Sequence, residues 1–168
     1  MEITKESINN NLDKLLKSDH LSIDENIILD SNIWKNAVAT HITFDDEYNQ
    51  PLHKDIFPLA THITFGFYYN QPLDKDIFPL AAHITFGYNY NQPLDKDIFP
   101  LAIDITFGWI YDKPITKICN KITMSGYNMK KHPDIIICKN TIIDNMDQYD
   151  LLMEIYLYLI IYYNSIQM

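Results

Sequence analysis

The chain has 168 residues, 22 acidic residues and 13 lysines with no arginine, which gives a net charge of −9 at pH 7. One domain with a substantial core is expected at this length. The acidic balance argues against a nucleic-acid-binding protein, which needs a basic face. Cys119 and Cys138 form neither a disulfide framework nor a zinc motif, so a reducing intracellular compartment, most simply the cytoplasm, is predicted.

The first residues predict a helical cap rather than a signal peptide, because the stretch is polar. Ser7 is a candidate N-cap. Apolar residues then recur at helical spacing, at Ile8, Leu12, Leu15 and Leu16. Residues 1–39 are therefore predicted to form an N-terminal helical cap followed by an irregular first coil, which ends in phase with the repeats at Ala39.

A 21-residue unit then repeats along the chain. The phrase "HITF" begins at His41, His62 and His83, and "DITF" continues the phase at Asp104. Fixed periods of this size indicate a solenoid whose units bury their apolar faces against one another. Because 21 residues are too few for a helix pair, the period predicts a mainly β fold. Each coil should contain a short strand, a turn and a return arm, as in leucine-rich repeats.

The pattern within each unit assigns an inner and an outer side. In "HITF", the alternation predicts that Ile63 and Phe65 face the core while His62 and Thr64 face outward. Two prolines in each return arm exclude a regular helix there. The predicted inward residues of that arm are Leu73, Ile77 and Leu80.

Stacked coils place equivalent residues in columns about 4.8 Å apart. One column consists of asparagines, whose side chains can both donate and accept hydrogen bonds. We expect them to satisfy backbone groups of their own and the next coil; the alternative is that Asn-Gln-Pro merely forms a turn. The column contains Asn49, Asn70 and Asn91.

The segments "ITFGFYYNQPL" and "ITFGYNYNQPL" strongly resemble the FNIP repeat. Its units read approximately leucine or isoleucine, any residue, Phe-Gly, two residues, an aromatic, then Asn-Gln-Pro-Leu. The resemblance covers residues 40–115, with three good units and a degenerate fourth. It implies a relative of leucine-rich repeats of the kind found chiefly in amoebae and giant viruses, which would place a viral protein in the host cytoplasm. The phenylalanines of the motif fall on Phe44, Phe65, Phe86 and Phe107.

Proteins resembling this one often carry an N-terminal F-box that recruits a ubiquitin-ligase scaffold. Residues 1–39 lack the leucine-proline start and the paired hydrophobic residues of an F-box. A ligase scaffold is therefore not the expected partner, and a substrate-recruiting adaptor stays an alternative that rests on resemblance.

Beyond the repeats, residues 116–168 predict a degenerate coil and an apolar C-terminal cap. "NKITMSGYN" at 120–128 echoes the unit after 17 residues instead of 21, and 134–144 offers a further strand. The apolar run 149–163 fits a covering helix, a strand or a membrane-surface element. It contains Glu154 and is too short to span a bilayer.

The histidine column raises the question of a metal site. His41, His62, His83 and Asp104 carry ligands that suit a transition metal. Ladder neighbours point in parallel, however, whereas zinc needs converging ligands. We therefore predict an exposed repeat position with no metal and no cofactor.

Acid pairs bracket a lysine in two successive return arms, at Asp74 and Asp76 and again at Asp95 and Asp97. This pattern is typical of a solvated, self-compensating surface. The sequence contains no nucleophile elbow, phosphate loop or dinucleotide fingerprint. No catalytic residue and no enzymatic activity are predicted.

With enzymatic activity, metal binding and nucleic-acid binding not expected, the predicted function is to bind an unidentified protein. The binding surface is either the strand face or an aromatic rim. The two near-identical units differ only at 67/88 and 68/89, which is expected if that loop meets a partner. The alternative is a truncated or vestigial family member with a structural role or none. The predicted partner-binding residues are His62, Thr64, Phe67, Tyr68, His83, Thr85, Tyr88 and Trp109.

Overall fold

The computed structural model describes residues 1–95, 97–114, 121–125 and 140–144. Its strands form one parallel sheet in which each strand pairs with the next along the chain. The predicted short, mainly β solenoid is confirmed. The strands are β1 (Glu2–Ile3), β2 (His20–Ile23), β3 (His41–Phe44), β4 (His62–Thr64), β5 (His83–Thr85), β6 (Asp104–Thr106), β7 (Lys121–Ser125) and β8 (Asn140–Asp144).

The sequence period equals one turn of the solenoid. Ile42 pairs with Ile63, Ile63 with Ile84 and Ile84 with Ile105, so residues 21 apart are neighbours across the sheet. Consecutive parallel strands cannot be joined by a tight hairpin. Each return arm therefore crosses back behind the sheet, and the core lies between the arm and the strands.

The coils begin earlier than the repeat motif. His20 pairs with His41 and Ile23 with Phe44, so β2 lies 21 residues before β3 and in the same register. The sequence "HLSI" shares only its histidine with "HITF", but Leu21 and Ile23 are buried as the repeat requires. The first coil is thus regular in its strand, because alternation and spacing persist where residue identity does not.

The predicted N-terminal helix is present as α1 (Lys5–Leu16), which connects β1 to β2. Its N-cap is Thr4 instead of Ser7. Thr4 Oγ1 accepts from the Ser7 amide at 3.1 Å, and Ser7 Oγ accepts from the Thr4 amide at 2.8 Å, which forms a capping box. Leu15 is fully buried, and three helix residues pack partly against the core, Ile8, Leu12 and Leu16. A second, single-turn helix is α2 (Ser31–Trp34).

Two aromatic columns run through the core. Phe44 stacks on Phe65 with ring centroids 5.2 Å apart, and Phe65 stacks on Phe86 at 5.0 Å. The tyrosines Tyr48 and Tyr69 stack in parallel at 6.3 Å. Burial raises the pKa of both tyrosine hydroxyls above the ordinary value. Each phenylalanine or tyrosine ring packs on the equivalent ring of the next coil. An aromatic residue is therefore needed at these positions in every coil.

The return arm differs from the prediction at one position. Leu73 and Ile77 are buried as expected, but Leu80 is 39% exposed and Phe78 is fully buried in its place. Asp76 has a φ of 63°, a left-handed conformation that aspartate tolerates better than most residues. The turn at Asp76 interrupts the inward–outward alternation of the arm. The consecutive residues Ile77 and Phe78 therefore both face the core, and Leu80 lies on the surface.

The register survives the shortened fourth unit. Ile105 pairs with Ile122, which confirms the predicted 17-residue step, and β8 lies inside the predicted strand region 134–144. The predicted cap at 149–163 lies outside the described residues. Within the described parts of the chain, no helix is long and apolar enough to cross a membrane.

Candidate functional site

Histidines form one outward column of the sheet. The rings of His20, His41, His62 and His83 stack in sequence, with centroids 4.2, 4.2 and 4.4 Å apart. Asp104 ends the column, where its Oδ2 lies 2.6 Å from His83 Nδ1. Sequence reasoning missed His20, although its position 21 residues before His41 was a sufficient signal.

Each histidine ring is held by a neighbouring oxygen. His41 Nδ1 lies 2.8 Å from Thr40 Oγ1, and His62 Nδ1 lies 2.9 Å from Thr61 Oγ1. Desolvation lowers the pKa of His62, and the neighbouring His41 and His83 lower it further. A neutral His62 imidazole between its two stacked neighbours is the result expected near neutral pH.

The structure gathers a different metal-ligand group from the predicted one. Potential ligand atoms of Asp19, His20 and His41 lie within 4.8 Å of one another, the one such group of three in the described part of the chain. Of the predicted candidates, only His41 belongs to it. His83 and Asp104 pair with each other at the far end of the column.

A second outward column consists of threonines. Thr43 pairs with Thr64 and Thr64 with Thr85, and all three are exposed. Together with His62 and His83, which are partly exposed, they make the strand face a regular polar surface. This face is the first of the two predicted contact surfaces.

The second predicted surface, the aromatic rim, lies at the turns that follow the strands. It is defined by Phe67, Tyr68, Tyr88 and Trp109, whose exposed fractions are 40%, 45%, 40% and 41%. Phe67 and Tyr88 occupy equivalent positions in successive coils and stack at 4.9 Å with an interplanar angle of 6°. The rim therefore exposes large aromatic side chains to water in three successive coils.

Glycines allow these turns to stack closely. A Cβ placed on Gly66 would lie 1.9 Å from the carbonyl oxygen of Asp45, and one on Gly87 would lie 1.9 Å from that of Gly66. Neither glycine has a positive φ. They are required by close backbone approach and not by a left-handed conformation.

In the first repeated coil, the positions equivalent to the aromatic rim are occupied by acidic residues. Asp46 holds the position equivalent to Phe67, and its side chain accepts from the Phe67 amide at 3.2 Å. Its carbonyl oxygen accepts from the Tyr68 amide at 2.8 Å. Asp45, Asp46 and Glu47 are all exposed. One end of the rim is therefore acidic and the remainder is aromatic.

Asparagines link successive coils on the far side of this turn. Asn49 Oδ1 accepts from the Asn70 amide and Asn70 Oδ1 accepts from the Asn91 amide, both at 2.9 Å. Gln71 and Gln92, which the prediction did not include, add bonds from their Nε2 atoms to the asparagine one coil earlier. Asn49 is exposed and Asn70 and Asn91 are partly exposed, so the ladder lies at the edge of the core and not within it.

The second acid pair, Asp95 and Asp97, forms ion pairs with a lysine of the preceding coil. Lys75 Nζ lies 3.2 Å from Asp97 Oδ2 and 3.6 Å from Asp95 Oδ2. The hydrogen bond to Asp97 and the charge of Asp95 raise the pKa of Lys75. Asp76 occupies a left-handed turn position. Asp95 and Asp97 thus balance the charge of Lys75 across two coils.

Comparison with known proteins agrees with this architecture. The FNIP Repeat family model matches residues 48–81 and 69–104. The chain is also similar in fold to a solved structure described as "CroV588 a novel circular LRR protein structure", with a TM-score of 0.61 and 23% identity. That match covers 73% of this chain and 20% of the other, so this chain spans about a fifth of its length. No curated protein sequence matches. Residues 48–104 therefore match the FNIP repeat, and the fold is leucine-rich-repeat-like, a kind of repeat architecture typical of protein–protein interaction.

Proposed function

We propose that this protein is a non-enzymatic interaction module whose protein partner contacts the aromatic rim. The observation that carries the proposal is the exposure of large aromatic side chains at one turn of successive coils, at Phe67, Tyr88 and Trp109. Aromatic residues supply broad, rigid contact area and are enriched where partners bind most strongly. An aromatic row that repeats with the coil fits an extended partner segment.

Variation between the coils supports the same surface. The inward columns keep their residue type from coil to coil, whereas the rim column changes from Asp46 to Phe67, Tyr88 and Trp109. Core packing does not require any of these four side chains. Recognition of a partner gives a physical reason for aromatic residues at positions where the fold accepts an acid.

The negative charge of this protein indicates which kind of partner it would attract. Asp45, Asp46 and Glu47 are exposed at one end of the rim, and the whole chain carries a net charge of −9. Lysine or arginine from a partner would be attracted by these carboxylates. A basic protein segment is therefore the expected occupant.

The strand face borders the rim and supplies the polar margin of the same contact. His62, Thr64, His83 and Thr85 precede the rim residues in the chain by only a few positions. Interfaces commonly combine an apolar centre with a polar margin. These four residues are assigned to that margin.

The test compares two variants that lose similar exposed apolar side chains from different places. The rim variant carries Phe67→Ser, Tyr68→Ser and Tyr88→Ser. The control variant changes three leucines that are exposed at equivalent return-arm positions, Leu59→Ser, Leu80→Ser and Leu101→Ser. Circular dichroism verifies that both variants fold. Tagged proteins are then used to recover partners from lysate of the cells in which the protein is made.

We expect the wild type and the leucine variant to recover the same basic protein, and the rim variant to lose it. If only the leucine variant fails to recover the partner, the interface lies on the return arm and the proposal is contradicted. If all three folded proteins recover no specific partner, a structural or vestigial role is favoured instead.

A further inference from the structure

Four side chains that change charge near neutral pH are stacked in the histidine column. The rings of His20, His41, His62 and His83 follow one another with centroids 4.2, 4.2 and 4.4 Å apart. Imidazole is the side chain whose charge ordinarily changes between about pH 5 and 8. Two charged rings at these separations repel each other, and salt screens the repulsion only partly, because the Debye length at physiological ionic strength is about 8 Å. The close stack therefore favours neutral rings.

Carboxylates lie at the two ends of the column but not beside His62. His20 Nδ1 lies 3.0 Å from Asp19 Oδ2, and His83 Nδ1 lies 2.6 Å from Asp104 Oδ2. A charged ring at either end would have an ion-pair partner there. His62 lies between two other imidazoles and has a neutral hydroxyl beside its Nδ1. A proton on His62 would therefore add a charge without a partner in contact with it.

The groups that act on His62 mostly disfavour its charged form. Desolvation is the largest cause of its lowered pKa, followed by the neighbouring His41 and His83. The carboxylate of Asp104 acts in the opposite sense, and His20 again disfavours the charge. All four of these ionisable residues lie on strands of the same sheet. The stacked sheet therefore binds a proton at His62 more weakly than the unfolded chain would.

We propose that the histidine column is a proton-sensitive device that weakens the solenoid as the pH falls from about 7.5 to about 5.5. A group that binds a proton more weakly in the folded chain than in the unfolded chain lowers stability on acidification. The stability that neutral His62 contributes is fully present above the ordinary histidine pKa of about 6.5. It is lost as the pH falls from there through the lower pKa of the folded chain. The contacts that protonation weakens are those between β3, β4 and β5, where His62 stacks on both sides.

The net charge of the chain predicts the opposite trend without this device. At a net charge of −9, the folded chain repels itself, and added protons reduce that repulsion. Carboxylates take up few protons in this range, because their ordinary pKa values are about 4. A loss of stability on acidification would therefore point to histidines whose charged form the fold disfavours.

The test is urea denaturation of the full chain at pH 7.5 and pH 5.5, at one ionic strength and with EDTA in both buffers to remove trace metal ions. His62→Gln replaces the central ring with a neutral amide that does not titrate. His53→Gln is the matched control, since His53 is exposed and lies outside the column. Circular dichroism at pH 7.5 verifies that each variant folds.

We expect the urea midpoints of the wild type and of His53→Gln to fall between pH 7.5 and pH 5.5. The fall in His62→Gln should be about half as large or less. Proton NMR of the wild type is a second measurement, in which the His62 ring should titrate at a lower pH in the folded chain than in urea. Unchanged or higher stability at pH 5.5, an equal fall in His62→Gln, or a His62 ring that titrates at the same pH in both states would each overturn the proposal.

Discussion

The inward columns and the rim column follow the same 21-residue period but obey different constraints. Inward positions repeat unchanged, as with Phe65 and Phe86, whose rings stack 5.0 Å apart. The rim position changes from an acid to three different aromatics. A buried ring must fit a copy of itself above and below, whereas a rim side chain must only leave the turn backbone in place. Residue identity is therefore strict inside and free outside.

The largest loss of stability is expected from a substitution in the middle of an inward column. Phe65→Ala removes a buried ring from the middle of the column and should lower the free energy of unfolding by about 3–5 kcal/mol. Phe67→Ala, two residues away on the rim, should change it by about 0.5 kcal/mol or less. Chemical denaturation of both variants measures the difference. Similar losses for the two would show that the rim also belongs to the packed core.

A smaller loss is expected where the turns stack. Gly66→Ala places a methyl group against the carbonyl oxygen of Asp45, and the coils must separate locally to admit it. Overpacking of this kind costs about 1–3 kcal/mol, and thermal melting measures it. Ala82→Gly, at a partly exposed position before a strand, is a control that changes one methyl group without a clash. A Gly66→Ala protein as stable as the wild type would contradict the close approach.

The smallest effect is expected at the edge of the core. Asn70→Ala removes the Oδ1 that accepts from the Asn91 amide at 2.9 Å. Because Asn70 is partly exposed, water can replace part of this bond, and a loss of about 1 kcal/mol is expected. Denaturation of Asn70→Ala is compared with Asn10→Ala, an exposed helix position. Equal stability of the two variants would indicate that Asn70 only favours the turn and that its bond to the next coil adds no stability.

Local pattern predicted the architecture because every coil repeats the same interactions. The alternation in "HITF" correctly oriented Ile63, Phe65, His62 and Thr64, and the 17-residue step after Ile105 was read correctly from an altered motif. The reading was wrong at Leu80, because a left-handed Asp76 changes which residues of the arm face inward. It missed His20, because the first coil keeps the period but not the motif.

The sequence by itself determined the period, the parallel stacking and the FNIP repeat motif, since identical units 21 residues apart can satisfy one another only in register. The tertiary structure decided what the stacked columns do. It placed His20 in the histidine column, assigned oxygens to the histidine Nδ1 atoms, exposed the rim and set Gly66 against Asp45. These outcomes depend on distances between residues of different coils, and those distances exist only after the coils have stacked.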